Sequence, residues 1–286
     1  MTALAHLYVP GDAPGRFGKA VASGAGAVIL DLEDAVAVAG KDEARAAVAT
    51  WVRRPHAPHP EIWVRINAGA RGDDDVRAVG AVGLTGICVP KVAGRADLER
   101  LDAVLAEVEE RDGVPRGSVT VCPLIETAAG LLDAAAVARG PRVRHLQLGE
   151  ADLVADLGMD PQPDGEQLLF ARSQVVTASA AAGIAPPLAP VSTDFRDLAA
   201  FERSTHQLRR LGFVGRACIH PRQVPVVTAV FTPDPAAVEA ARDVLGRLAA
   251  HGSGVGVDRN GRMIDEAVAR QARRVLARAH PERSPS

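Results

Sequence analysis

Eight short apolar runs punctuate roughly the first 220 residues, and most of them end on polar or ionisable side chains. They fall at 6–10, 27–33, 61–67, 86–91, 119–126, 144–149, within 183–191 and at 215–220. Helical patterns separate them. Leu98, Leu101, Val104, Leu105 and Val108 lie on one face at the three-and-four spacing of an amphipathic helix over 97–108. Residues 14–22, 43–52 and 166–182 also read as helices. A further helix over 194–211 has Thr193 or Asp194 as its N-cap and Gly212 as its stop. Strands that alternate with helices pair in parallel through crossovers. Eight of them over this length predict a (β/α)8 TIM barrel. A doubly wound open sheet is the rival. The turn after the first run, PGDAPG at 10–15, lacks the G-x-G-x-x-G pattern that such sheets place there.

The barrel pattern occupies residues 1–232 and forms the expected catalytic domain. Residues 233–280 read as a C-terminal helical extension, with helices over 234–250 and 263–279. A glycine-rich connection with an Asn260-Gly261 turn signal joins them. Residues 281–286 read as a disordered tail.

Composition narrows the partners. The net charge of −2 argues against nucleic acid or an anionic membrane surface. No apolar run is long enough for a bilayer, and residues 1–10 do not read as a secretory signal. The cysteines, Cys88, Cys122 and Cys218, are odd in number, far apart and set in apolar runs. Buried, reduced thiols of a cytoplasmic protein fit that pattern. Arginine supplies nearly all the positive charge, leaving Lys19, Lys41 and Lys91 as the lysines. A lysine kept in such a chain is a candidate for a role arginine cannot fill, although Lys19 reads as exposed.

In a parallel barrel, function gathers where strands run into the loops that follow. Those ends are polar here: Asp31, Glu33 and Asp34; Arg65 and Asn67; Lys91; Glu126; Glu150 and Asp152; His220. Charges inside apolar strands are costly unless paired or functional. Glu126 and Asp152 come from adjacent runs. Two such carboxylates suit Mg²⁺, or Mn²⁺ in its place, which keeps waters and takes other ligands from substrate. The alternative is that each caps a helix or pairs with an arginine. Arg65 sits between Val64 and Ile66 and needs an anion, either a substrate carboxylate or enolate, or Asp31 and Glu33. Both can hold together. Lys91 admits a Schiff base with a keto acid or an ion pair with Glu126 or Asp152. His220 reads as a base or as a structural histidine.

The ordered motifs LYVPGD at 7–12, ILDLEDAV at 29–36, VRIN at 64–67 and LIET at 124–127 resemble the citrate lyase β-subunit family. GEADL at 149–153, DLG at 156–158 and CIHPRQ at 218–223 continue the match across nearly the whole chain. The resemblance implies a (β/α)8 barrel with Mg²⁺ on Glu126 and Asp152. It gives Arg65 to the substrate, and it implies a CoA or acyl-carrier thioester. GRMID at 261–265 resembles the malyl-CoA and citramalyl-CoA lyase branch. There the aspartate matching Asp265 lies on a lid that reaches a neighbouring subunit's site as an acid/base. A homo-oligomer, a trimer or a hexamer, is thereby implied. Two positions depart from the pattern. Ala267 stands where the branch has proline, and the segment around Ala189 lacks the family's aspartate.

The expected function is Mg²⁺-dependent carbon–carbon cleavage of a β-hydroxyacyl-CoA such as malyl-CoA or citramalyl-CoA, releasing a small 2-oxo acid. Arg65, Asp265 and Glu33 are the expected catalytic groups. Asn67, Asp31, Asp34 and Lys91 join Arg65 in holding substrate. The rivals are an aldolase for free 2-oxo acids, a citrate lyase subunit acting on an acyl carrier, thioester hydrolysis after condensation, and a non-catalytic binding protein.

Overall fold

The computed structural model describes residues 3–54, 60–160, 162, 165–251, 255–259 and 261–279. The chain divides into two compact units, residues 2–228 and 229–286. In the first, eight parallel strands close into a barrel in sequence order. They are β1 (Ala5–Pro10), β2 (Ala27–Asp31), β3 (Glu61–Arg65), β4 (Gly86–Val89), β5 (Thr120–Ile125), β6 (Gln147–Leu148), β7 (Leu188–Ala189) and β8 (Gly215–Cys218). The helices are α1 (Phe17–Val21), α2 (Lys41–Val52), α3 (Ala70–Val79), α4 (Arg95–Asp112), α5 (Ala128–Leu132), α6 (Ala134–Ala138), α7 (Glu150–Leu157), α8 (Leu169–Ala182) and α9 (Leu198–Leu211), with α10 (Gln223–Phe231) spanning the division. Closure excludes the open sheet.

Every residue of β2 and β4 is buried, as strands covered on both faces must be. Ala27, Ile29, Trp63, Cys88, Cys122 and Leu124 pack into one cluster. Trp63 pairs in register with Gly86, and a Cβ on Gly86 would lie 2.4 Å from the indole ring. Glycine there is what lets so large a side chain lie between neighbouring strands. The three cysteines are free and buried. Burial drives the pKa of His6 down to about 4 and holds that of His145 well below its ordinary value, so both rings are neutral packing groups beside Trp63.

The structure departs from the sequence reading in several places. The seventh strand shrinks to two residues, paired to Gln147 on one side and Gly215 on the other. The N-cap of α9 is Asp197, whose carboxylate accepts from Ala200 N at 2.9 Å. Asp194 instead accepts from the N–H groups of Arg196 and Asp197, shaping the turn before the helix. Gly212 ends α9 at φ 110°. Helices α3 and α5–α7 have no counterpart in the periodicity. They are short, or in α3 carry Arg71 and Asp73–Asp75 where apolar residues would reveal a face.

In the second unit α11 (Pro235–His251) packs on α12 (Glu266–Ala279). Strands β9 (Gly256–Val257) and β10 (Met263–Ile264) form an antiparallel pair. Asp265 caps α12, its carboxylate accepting from Val268 N at 3.0 Å. Asn260 and the expected tail at 281–286 lie outside the described residues. No helix among the described residues is long and apolar enough to cross a membrane.

Candidate active site

A cleft of about 240 Å³ opens at the carboxyl ends of the strands, where Asp31, Arg65, Glu126 and Asp152 meet along its lining. Register sets the first two side by side, Asp31 opposite Arg65. Arg65 donates to both oxygens of Asp31, at 2.7 Å from Nε and 2.5 Å from Nη2, and its Nη1 lies 2.8 Å from Glu33 Oε2. Such a fork fixes the guanidinium plane. Burial opposes the charge on Arg65, but Asp31 and Glu33 outweigh it and raise its pKa above the ordinary value. The Tyr8 ring lies under the guanidinium, 5.2 Å from Cζ, and the Tyr8 hydroxyl meets the Gln147 amide at 3.0 Å. Burial lifts the phenol well above its usual pKa.

The Glu33 loop is held from behind. Asp31 Oδ1 accepts from Glu33 N at 2.9 Å. The buried Lys41 ammonium donates to the carbonyls of Leu32 and Glu33, at 2.8 and 2.6 Å. Lys91 donates from Nζ to Glu33 Oε1 at 2.7 Å and from its backbone N–H to Glu126 Oε1 at 2.7 Å. It does both from a left-handed conformation, φ 53°. A side chain held there costs energy and persists where the surroundings demand it. Burial raises the pKa of Glu33 against the pull of Arg65 and Lys91.

Glu126 is 2% exposed. Burial, reinforced by Glu33 and Asp152 and resisted by the Lys91 N–H, lifts its pKa to about 7. Gly149 makes its room: a Cβ there would fall 2.5 Å from Glu126 Oε2. Asp156 accepts from Ala128 N at 2.7 Å and so ties α7 to the start of α5, beside Glu126. Among the described residues neither Glu126 nor Asp152 has an ion-pair partner, and no group of three or more His, Cys, Asp or Glu is disposed to hold a metal. Two unneutralised carboxylates in a partly buried cleft fit a hard divalent cation that takes water and substrate as its other ligands. They do not fit a zinc cage, which wants three or four protein donors.

Of the expected substrate-holding residues, Asn67, Asp34 and Lys91 do not line the cleft. Asn67 is turned away from the cleft, its Nδ2 donating to Asp75 at 2.7 Å and its backbone N–H to the same oxygen. Asp75 satisfies it, so it serves the β3–α3 turn. Asp34 is exposed, 3.9 Å from both Arg65 and Lys91. Lys91 does not line the cleft and pairs with Glu33, not with Glu126 or Asp152 through its side chain. Asp265 lies in the second unit, within the expected C-terminal extension. His220 accepts at Nδ1 from Arg222 N and stacks on Phe195 with 5.3 Å between ring centroids, a structural placement. Gln223 holds the same turn, accepting from Ile219 N at 2.8 Å. Tyr8 and Gln147 were missed. The signal for the first was available, since Tyr8 is the single tyrosine of the chain and falls inside a strand.

A closed parallel barrel whose mouth holds a forked arginine and two open carboxylates is the frame of a barrel enzyme. The chain belongs to the HpcH/HpaI aldolase/citrate lyase family, whose model matches residues 4–221. It is an enzyme of that aldolase and lyase group. It is 33% identical to the citrate lyase subunit beta of Leuconostoc mesenteroides subsp. cremoris, over 96% of this chain and 92% of that one. It is 32% identical to a (3S)-malyl-CoA thioesterase of Cereibacter sphaeroides, over 96% and 93%. The crystal structure of CitE from Mycobacterium tuberculosis, in complex with magnesium, acetoacetate and coenzyme A, superposes with a TM-score of 0.78 at 32% identity, covering 96% of this chain and 97% of that one.

Proposed function

We propose that this enzyme cleaves, or in reverse forms, the carbon–carbon bond of a β-hydroxyacyl-CoA, yielding a 2-oxo acid and an acyl-CoA. The observation that carries the reading is Arg65 locked onto Asp31 and Glu33 in the same cleft as the open Glu126 and Asp152 carboxylates. The magnesium and coenzyme A held by the CitE neighbour, and the malyl-CoA substrate named for the thioesterase relative, support it.

Glu126 and Asp152 would hold Mg²⁺, which when bound supplies Lewis-acid stabilisation of substrate carboxylate and hydroxyl oxygens. The substrate hydroxyl loses its proton and becomes the carbonyl of the 2-oxo acid. The bond between the carbinol carbon and the α-carbon breaks, and its electron pair passes into the thioester enolate. Arg65, kept charged and oriented by Asp31 and Glu33, stabilises that enolate. Protonation at the α-carbon completes the acyl-CoA. The motif at 261–265 assigns this proton to Asp265, acting from a lid in a neighbouring subunit of a homo-oligomer. Lys41, Lys91 and Tyr8 hold the arginine and its carboxylates in place.

Assaying malyl-CoA and citramalyl-CoA beside free malate and citramalate tests the thioester. Cleavage confined to the thioesters, and lost in Glu126→Ala, is expected. Cleavage of the free acids at a comparable rate would make this an aldolase with no use for CoA.

A further inference from the structure

The mouth of the cleft is divided by chemistry. Arg65 from β3, Glu126 following β5 and Asp152 in α7 face it from one arc of the barrel. Val191, Ile219 and Pro10 face it from the arc of β7, β8 and β1, where no charged side chain lines it among the described residues. Arg65 is the one cation lining the cleft among the described residues, and Asp31 and Glu33 already engage it. On the reading proposed above, the carbinol carbon of the substrate carries four groups. Its carboxylate and hydroxyl belong with the cation that the open carboxylates would hold, and its thioester carbonyl with the arginine. Its thioester arm leads to a coenzyme far larger than a cleft of about 240 Å³, so that arm leaves through the mouth. The fourth group is left against Val191, Ile219 and Pro10.

We infer that the fourth group is a short alkyl chain, so that the 2-oxo acid released is a monocarboxylic acid of the pyruvate type, and that Val191 and Ile219 select it. A hydrogen in that position, as glyoxylate would give, leaves the apolar wall without a contact. A second carboxylate, as oxaloacetate would give, is pressed against side chains that offer no cation and no donor. This inference rests on the proposed lyase reading, and the test separates the two.

Glyoxylate, pyruvate and oxaloacetate are each titrated into the full-length protein in Mg²⁺ buffer and followed by ligand-observed NMR. Each is then condensed with acetyl-CoA. Pyruvate is expected to bind about 10-fold tighter than glyoxylate, the scale of one methyl in an apolar pocket. Oxaloacetate is expected to bind about 100-fold more weakly than pyruvate. An aldehyde is intrinsically more reactive than a ketone, so the kinetic readout is the pyruvate-to-glyoxylate ratio of kcat/KM in variants. Val191→Ala and Ile219→Ala should each lower that ratio several-fold, and either suffices if the other fails to fold. Oxaloacetate as the best ligand, or a ratio that neither variant moves, overturns the inference. Tighter pyruvate binding with no condensation of any acid would support the wall and sink the lyase reading. Neither preference nor condensation would overturn both.

Discussion

Glu126 carries a testable thermodynamic signature. Its carboxyl rises from the ordinary 4.5 to about 7 because burial and the charges of Glu33 and Asp152 disfavour the anion. The folded protein therefore binds a proton more tightly than the unfolded chain does. The stabilisation is fully present below about pH 4.5 and is lost as pH climbs through 7. At 1.36 kcal/mol for each tenfold change in proton affinity, the loss is about 3 kcal/mol. A chain of 286 residues unfolds with an entropy of about 0.6 kcal/mol/K, so the apparent Tm should fall by about 5 °C between pH 5 and pH 8 in EDTA. Glu126→Gln removes the titrating group and keeps the acceptor for Lys91 N. Its melting curve should be flatter over that interval, with a residual slope from Glu33, which is raised as well. If Mg²⁺ is held by Glu126, adding it at pH 8 should restore the wild-type Tm and leave the variant unmoved. Differential scanning fluorimetry at four or five pH values suffices. A variant with the full wild-type slope would refute the assignment of the raised pKa to Glu126.

Other substitutions probe the scaffold around it. Arg65→Lys keeps the charge but loses the fork onto Asp31, and kcat/KM for thioester cleavage should drop about 100-fold or more with the fold intact by circular dichroism. Gly149→Ala drives a methyl against both the carboxylate and the Cβ of buried Glu126, and steady-state titration should show the apparent Mg²⁺ affinity weakened, with stability lowered by about 1–3 kcal/mol. Asp75→Ala strands the buried Asn67 amide and leaves Arg45 with Asp42 alone, and urea unfolding should show a loss of about 3 kcal/mol. Lys91→Ala tests the Schiff-base route. The present account expects impaired but measurable, EDTA-sensitive cleavage, and complete loss with an EDTA-insensitive wild type would favour the imine.

Much of the barrel was legible because each interior strand must be apolar on both faces, which leaves a run that periodicity cannot hide. The two-residue β7 falls inside the stretch expected at 183–191, but so short a strand between prolines leaves no pattern to fix its bounds. Helix α3 escaped because Arg71 and Asp73–Asp75 dilute its apolar face. Asn67 stands at a polar strand end like Arg65, and only the fold shows that Asp75, on this helix, satisfies it. Arg65, Glu126 and Asp152 stood out as charges at the ends of apolar runs. Gln147 carries no charge, and Lys41 lies in a helix; their roles come from a phenol 139 residues away in sequence and from two backbone carbonyls. No local pattern records contacts of that kind.

The central claim is that a carbon–carbon bond is broken. The direct test is the product balance from citramalyl-CoA and malyl-CoA, in Mg²⁺ and in EDTA. The 2-oxo acid would be followed as its phenylhydrazone, and free CoA with a thiol reagent. Mg²⁺-dependent release of 2-oxo acid in equal amount to acetyl-CoA, with no free thiol, is expected. Free CoA together with intact malate or citramalate, and no 2-oxo acid, would make the protein a thioesterase and contradict the claim.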